Sequence, residues 1–552
     1  MKSIFTLETG YRTTIGESTA ATKDGRILWV TRVPDIALIS AGLGRLEIRE
    51  SGDRGITWSN PKVLVKGDRK KSPMSLAMLR LKSGKILHIF AMFDFSGSTE
   101  DENNTASIQE STDNGKTWSK TRSIPTGPKK ISNVLSICQT KTCRIIFPYE
   151  YLDREQNLWV VSAAYSDDEG KTWKLSPSVL EVGGKGFEGG ACEPSVVQLP
   201  DGKLWMLIRA QTGFQWESYS YNDGALWTKA RPSTITSSGT PAVLLPLSSG
   251  WIAVAWCNCV SWAYARHSLV IALTKDGKKF YGVKEIEHTD FPMETTTRYW
   301  ISAYPYMCEG PDKKIIVSFN YGNWDYNKAK LAIIDPKWIL EDSFNEDFRE
   351  GRKEWCSLGA AGTMFAKPSS MMLPEDNKPG ATLCVFYKKG VPSGLTRNFP
   401  LLFNGKIKIT ASVIKGDSHI LLHNSFLNPG EVKEAVLRVR FASNGKVYVA
   451  AGIPQVKDVK WPKWGPKYTC LSYPIRKEVL YPKKIKIRKR FNLEINCEAI
   501  KRKLTVSINN GKKVELQTGN ILGLCYIGIA ATKVGSVKIR RIESKNSGGK
   551  ND

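Results

Sequence analysis

The sequence predicts an all-β protein: a six-bladed β-propeller followed by a β-sandwich of the jelly-roll type. Three observations carry this expectation. Short runs rich in Val, Ile and Trp, broken by Gly and Pro, take the place of long amphipathic helical patterns. One octapeptide motif recurs at intervals of about 55–60 residues in the first part of the chain. An acidic linker, Asp342–Phe348, is expected to end the propeller, and beyond it alternating strand patterns, with Tyr526–Ala531 and Val537–Ile542 as two of the strands, continue without helices. At 552 residues the chain is too long for one core. The expected division is 1–340 for the propeller, 341–545 for the sandwich and 546–552 for a disordered tail.

The octapeptide sets Ser51, Asp53, Gly55, Thr57 and Trp58 at fixed spacing, and returns as Ser111, Asp113, Gly115, Thr117, Trp118. A third copy is Ser166, Asp168, Gly170, Thr172, Trp173; a fourth keeps the spacing with Asn222 for the Asp, and a fifth (Thr274, Asp276, Gly277, Phe280) is one residue shorter. This chemistry suits a hairpin turn. The carboxylate accepts loop N–H groups, Gly supplies positive φ, and Trp folds back onto the apolar layer. The Asp is therefore read as a turn staple and not as a metal ligand.

Before each box stands a tight turn and an apolar strand: Asp24-Gly25, Ser83-Gly84, Asp201-Gly202 and Ser249-Gly250 open the clear copies. Cys143-Arg144 and Lys313-Lys314 take the same place in the third and sixth units. Each unit thus supplies four strands, and six units close a propeller. The sixth unit lacks a box, so Ile4–Leu7 is expected to add its outer strand and close the ring.

Net charge is +27, and it is unevenly spread. Residues 341–552 hold 38 basic and 18 acidic side chains, against 42 and 35 in the first 340. Such a balance favours anionic partners. Lys483–Arg490 alternates so that Lys484, Lys486, Arg488 and Arg490 are expected on one strand face, either a polyanion stripe or a solvated edge. No nucleic-acid motif accompanies the charge. The 11 Cys are odd in number and lack zinc-ligand spacing. No metal or cofactor motif is visible, and neither a signal-like apolar run nor a span of about 20 apolar residues occurs. The location expected is the cytoplasm if this is the full chain, or outside it if a signal was removed. The sequence leaves the oligomeric state open.

The repeated boxes resemble those of the sialidase (neuraminidase) superfamily and its BNR-repeat relatives, over residues 1–340. The C-terminal part resembles laminin-G and concanavalin-like sandwiches. The first resemblance implies a Tyr nucleophile paired with a Glu, an Asp acid/base, and arginines that grip a substrate carboxylate bidentately. A neighbouring carboxylate is needed because an ordinary phenol is neutral at pH 7. By this resemblance Glu193 and Arg209, in the fourth unit, match the activating Glu and one arginine. Tyr304, in Ser302-Ala303-Tyr304-Pro305-Tyr306, matches the nucleophile. Asp35 lies in the loop that supplies the acid/base, and Glu17 is a second candidate on the inner strand of the first unit.

Two departures from the family pattern stand out. Ile15-Gly16-Glu17-Ser18 replaces the first arginine's R-I-P motif, leaving Arg12 early and Arg32 one strand late. Ala272 stands where the third arginine belongs, with Arg266 and Arg298 as substitutes. Tyr149, beside Glu150 and Tyr151, is a candidate sugar contact. His88 and His267 are expected to be structural. The activity expected is exo-hydrolysis of a terminal acidic sugar. The alternatives are a lyase on acidic polysaccharide in the same pocket, or a non-catalytic carbohydrate-binding propeller.

Overall fold

The computed structural model describes residues 4–12, 17–34, 44–68, 70–94, 104–126, 134–153, 155–184, 189–260, 266, 268–288, 300–323, 328–348, 355–358, 370–374, 381–385, 393–426, 432–460 and 467–547. Six four-stranded antiparallel sheets follow one another along the first part of the chain. Their inner and second strands are Ser18–Ala21 and Ile27–Pro34 in blade 1, Lys71–Arg80 and Ile86–Asp94 in blade 2, and Cys138–Gln139 and Ile145–Asp153 in blade 3. Blade 4 has Cys192–Gln198 and Leu204–Arg209, blade 5 Ala242–Pro246 and Ile252–Cys257, and blade 6 Trp300–Glu309 and Ile315–Asn323. The outer strand of blade 6 is Ile4–Arg12, which pairs antiparallel with Lys328–Ile334. The two ends of the propeller are thus hydrogen-bonded into one sheet, which removes a free edge.

The boxes form the expected turns. Asp113 Oδ1 accepts from Ser111 Oγ at 2.8 Å and from Thr117 N at 2.9 Å, and Asp113 Oδ2 from Thr117 Oγ1 at 2.5 Å. Trp118 Nε1 then donates to Gly115 O at 3.2 Å. Asp53 and Asp168 repeat the pattern. Thr117's hydroxyl and backbone hold the Asp113 carboxyl well below the usual carboxylate range. Each Trp packs in a seam between neighbouring blades, as Trp58 does edge-on to Trp29 at 5.1 Å.

After a five-residue helix, Pro336–Leu340, capped by Asp335, the chain enters a second β-region. Here the sequence reading needs correction in three places. Ser343–Glu346, read as an acidic linker, is a strand paired with Ile542–Lys545. The runs Tyr526–Ala531 and Val537–Ile542, read as two strands, belong to one 23-residue strand, Leu524–Asn546. That strand pairs along its length with the 20-residue strand Asn404–His423. The register slips around Lys415, where the pair bends. One half is flanked by Phe491–Glu498 and the other by Leu437–Phe441, so the sheet curls over a single core containing Ile409, Val413, Leu422, Val439 and Leu493.

The third correction concerns the basic run. Residues 483–490 form turns rather than a strand face: Lys489 N donates to Lys486 O at 3.1 Å, and Arg488 sits at φ 63°. Ile485 is buried and anchors the segment through its N–H to Gly445 O, while Lys484, Lys486, Arg488 and Arg490 are exposed. Alternation did not make a strand because the backbone N–H groups of Ile485 and Arg488 take single partners, Gly445 and Val413, in place of a ladder.

The curled sheet packs against blades 4 and 5. Phe426 forms a parallel bridge with Cys259, and Asn258 Nδ2 donates to Asn424 O at 3.0 Å. Trp256, Val270 and Phe280 share one apolar cluster with Leu421, Phe426 and Tyr526. Among the described residues no helix is long and apolar enough to cross a membrane.

Candidate active site

Six second strands run back toward one end of the propeller axis. Counting from the first residue of each, the sixth is Arg32, Ala91, Glu150, Arg209, Cys257 and Asn320 in blades 1 to 6. All six are buried. Several reach the start of the next blade's inner strand. Arg32 Nη2 donates to Ser72 Oγ at 3.1 Å, and Cys257 Sγ to Ser302 O at 3.1 Å. The Glu150 carboxylate accepts the backbone N–H of Glu193. Burial pushes the Arg32 guanidinium down to about 10.

At this end the inner strands of blades 4 and 6 are irregular. The ladder slips between Cys192 and Ser195, and again between Ala303 and Tyr306. Within those bulges Glu193 has φ 44° and Tyr304 φ 53°. A left-handed conformation costs an L-residue about 1–2 kcal/mol. The bulges re-aim both side chains, and Tyr304 Oη donates to Glu193 Oε1 at 3.1 Å across 111 residues of sequence. Arg209 Nη1 lies 2.8 Å from Glu193 Oε2. The Arg266 guanidinium stands 5.0 Å from the centre of the Tyr304 ring, within cation–π range. The Arg266 carbonyl also accepts Ser302 N at 2.8 Å, tying it to the Tyr304 strand.

The structure therefore brings together Tyr304, Glu193, Arg209 and Arg266. Glu17 is fully buried, and its Oε2 accepts the Trp29 indole N–H at 3.0 Å. Tyr149 is buried in the apolar layer of its blade, stacked with Phe147 at 6.1 Å, and burial raises its phenol. Its position is one of packing. Asp35, Arg298 and His267 lie outside the described residues. His88 is enclosed between Ser75 and Gln109, and desolvation pushes it down to about 3. Sequence reasoning passed over Asn320 as a site residue and took Glu150 only as one of the triplet Tyr149-Glu150-Tyr151 that could contact sugar. Aligning the six second strands by their first residue would have found both.

A separate cavity of about 310 Å³ lies on the axis toward the other end of the inner strands, lined by residues such as Ala21, Arg80, Gln139, Pro246 and Glu309. It contains none of Tyr304, Glu193 or Arg209.

A six-bladed propeller stapled by Asp-box turns, with a buried Tyr–Glu–Arg constellation at one end of its axis, defines a class of protein. The BNR repeat-like domain family matches residues 41–317, about half of the chain, and the protein belongs to it. Among solved structures it is similar to Trypanosoma rangeli sialidase in complex with sialic acid, at 12% identity over 99% of this chain and 96% of that one, TM-score 0.47. It is also similar to the intramolecular trans-sialidase from Ruminococcus gnavus, at 14% identity over 60% of this chain and 95% of that one, TM-score 0.47. A protein of unknown function from Dyadobacter fermentans aligns at 17% identity over 60% and 99% of the two chains, TM-score 0.46. No curated protein matches the chain in sequence. Identities this low say nothing about substrate, and the fold rests on the strand pairings above.

Proposed function

We propose that the protein is a glycoside hydrolase that removes a terminal acidic sugar, sialic acid or a relative, from glycans. One observation carries the reading: a buried phenol donates to a carboxylate whose other oxygen faces an arginine, with a second guanidinium over the phenol ring. A Tyr with an adjacent carboxylate is equipped for nucleophilic work that an isolated phenol cannot do at neutral pH.

In this reading Tyr304 Oη attacks the anomeric carbon while its proton passes to Glu193. The bond from that carbon to the leaving oxygen breaks, and the oxygen takes a proton from Asp35 or Glu17. Water then adds at the anomeric carbon and gives a proton to the same carboxylate, the bond from that carbon to Tyr304 Oη breaks, and Glu193 returns its proton to the phenolate oxygen of Tyr304. Arg209, Arg266, Arg298 and Arg32 supply positive charge for the sugar's anionic group. Residues 1–340 form the catalytic domain and 341–545 an ancillary one.

The test is product mass spectrometry after incubation with sialylated glycans and several acidic polysaccharides, beside Tyr304→Phe. A product with one added water, lost in the variant, is expected. An unsaturated product without added water would replace hydrolysis by lyase chemistry. No product from any substrate would favour a binding propeller.

A further inference from the structure

We infer that Asn320 is a specificity-determining contact of the same site, its side-chain amide engaging a pair of neighbouring hydroxyls on the bound sugar. The inference rests on the functional reading above and adds a residue and a chemistry to it.

Asn320 is the sixth residue of the blade 6 second strand, the register at which Glu150 and Arg209 stand in blades 3 and 4. It pairs across the ladder with Ala303, the residue before Tyr304. Strand alternation puts it on the side of Ile316, which packs against Ile27 and Trp29 of blade 1. Its counterparts Arg32 and Glu150 reach partners on the next blade. The Asn320 side chain is fully buried, yet among the described residues neither its Oδ1 nor its Nδ2 has a hydrogen-bond partner.

A buried amide with both ends unmet is rare, because desolvation is then uncompensated. The residue is tolerated where something else completes it. A carboxamide offers one acceptor and two donors in a plane. That matches a vicinal diol, in which one hydroxyl donates to Oδ1 and its neighbour accepts from Nδ2. The arginines meet the anionic group, so Asn320 reads the neutral, hydroxylated face of the same sugar.

The experiment compares wild type with Asn320→Leu and Asn320→Ala. Binding of N-acetylneuraminic acid, glucuronic acid and galacturonic acid is measured by titration calorimetry, and melting temperature without ligand in parallel. The expected result is that at least one sugar binds wild type, and both variants weaken it tenfold or more. The ligand-free melting temperature of Asn320→Leu equals or exceeds that of wild type, since an unsatisfied amide has been removed. A deoxy analogue of the bound sugar should then lose affinity for wild type but not for the variants. Unchanged affinity in variants of a binding wild type would overturn the role of Asn320 alone. So would a melting temperature lowered by several degrees in Asn320→Leu, which would mark the amide as structural. A wild type that binds none of the three sugars would overturn the functional reading, and this inference with it.

Discussion

Glu150 of blade 3 grips Glu193 of blade 4 by the backbone: its carboxylate accepts the Glu193 N–H at a point where the ladder has slipped and φ is 44°. The bulge frees that N–H from its ladder, and a charged acceptor from the neighbouring blade takes it up. The aim of Glu193 at Tyr304 is therefore set partly by a residue that need not touch substrate.

Glu150→Ala leaves a buried N–H without this acceptor, a loss of about 1–3 kcal/mol. Because the loss falls on the aim of Glu193, kcat should drop about tenfold or more with KM little changed. Glu150→Gln keeps an acceptor and should recover most of the rate. Steady-state kinetics on the three forms, using the substrate found by mass spectrometry, checks this. Equal losses in Gln and Ala would point to a need for the charge itself.

Arg209 and Glu193 are both nearly fully buried and 2.8 Å apart. Removing one member of a buried pair strands the other, at a cost of about 3–5 kcal/mol. Arg209→Met should therefore destabilise the propeller strongly in urea. The double variant Arg209→Met/Glu193→Gln should lose less than the two single losses added together. Additive losses would mean that the pair is not coupled.

Gly213 and Gly202 separate conformational strain from packing. Both have positive φ, 85° and 95°. A Cβ at Gly213 would sit 2.2 Å from Leu471 Cβ in the separate two-stranded sheet of Gln455–Lys460 and Lys467–Ser472, whereas one at Gly202 meets nothing within 4 Å. Gly202→Ala should cost about 1–2 kcal/mol, the strain alone. Gly213→Ala should cost that plus about 1–3 kcal/mol of overpacking. Thermal unfolding of the two variants measures the difference, which reports the contact between blade 4 and that two-stranded sheet.

His88, His419 and His423 are buried, and desolvation pushes each down to about 3 from an ordinary value of 6.5. The folded protein keeps them neutral while the unfolded chain binds protons below pH 6.5, so acid favours unfolding. Their contribution is complete above pH 6.5 and is lost as pH falls toward 3, at up to about 1.4 kcal/mol per pH unit for each. The staple carboxyl of Asp113 adds a loss of the same sign at lower pH. Melting temperature should fall steeply from pH 6.5 to 4, and less steeply in His88→Gln.

Much of this molecule was legible in the chain itself. Local rules made it so: Asp53, Asp113 and Asp168 bond their own loops within four residues, so their spacing marks each blade directly. Six such units closed by Ile4–Arg12 follow from counting strands. Glu193 and Tyr304 stood out by resemblance to a family pattern. What the sequence left open was whatever depends on partners far along the chain. The alternating run Lys483–Arg490 had the period of a strand, but its N–H groups were claimed singly by Gly445 and Val413. Tyr526–Ala531 and Val537–Ile542 became one strand because Asn404–His423 runs beside both. Glu150 and Asn320 carry no motif of their own. Only ring closure, which brings the sixth residue of every second strand to one end of the axis, gave the first a partner in the next blade and left the second a buried amide without one among the described residues. Turn chemistry is local and can be read along the chain, whereas convergence on an axis exists only once the ring is closed.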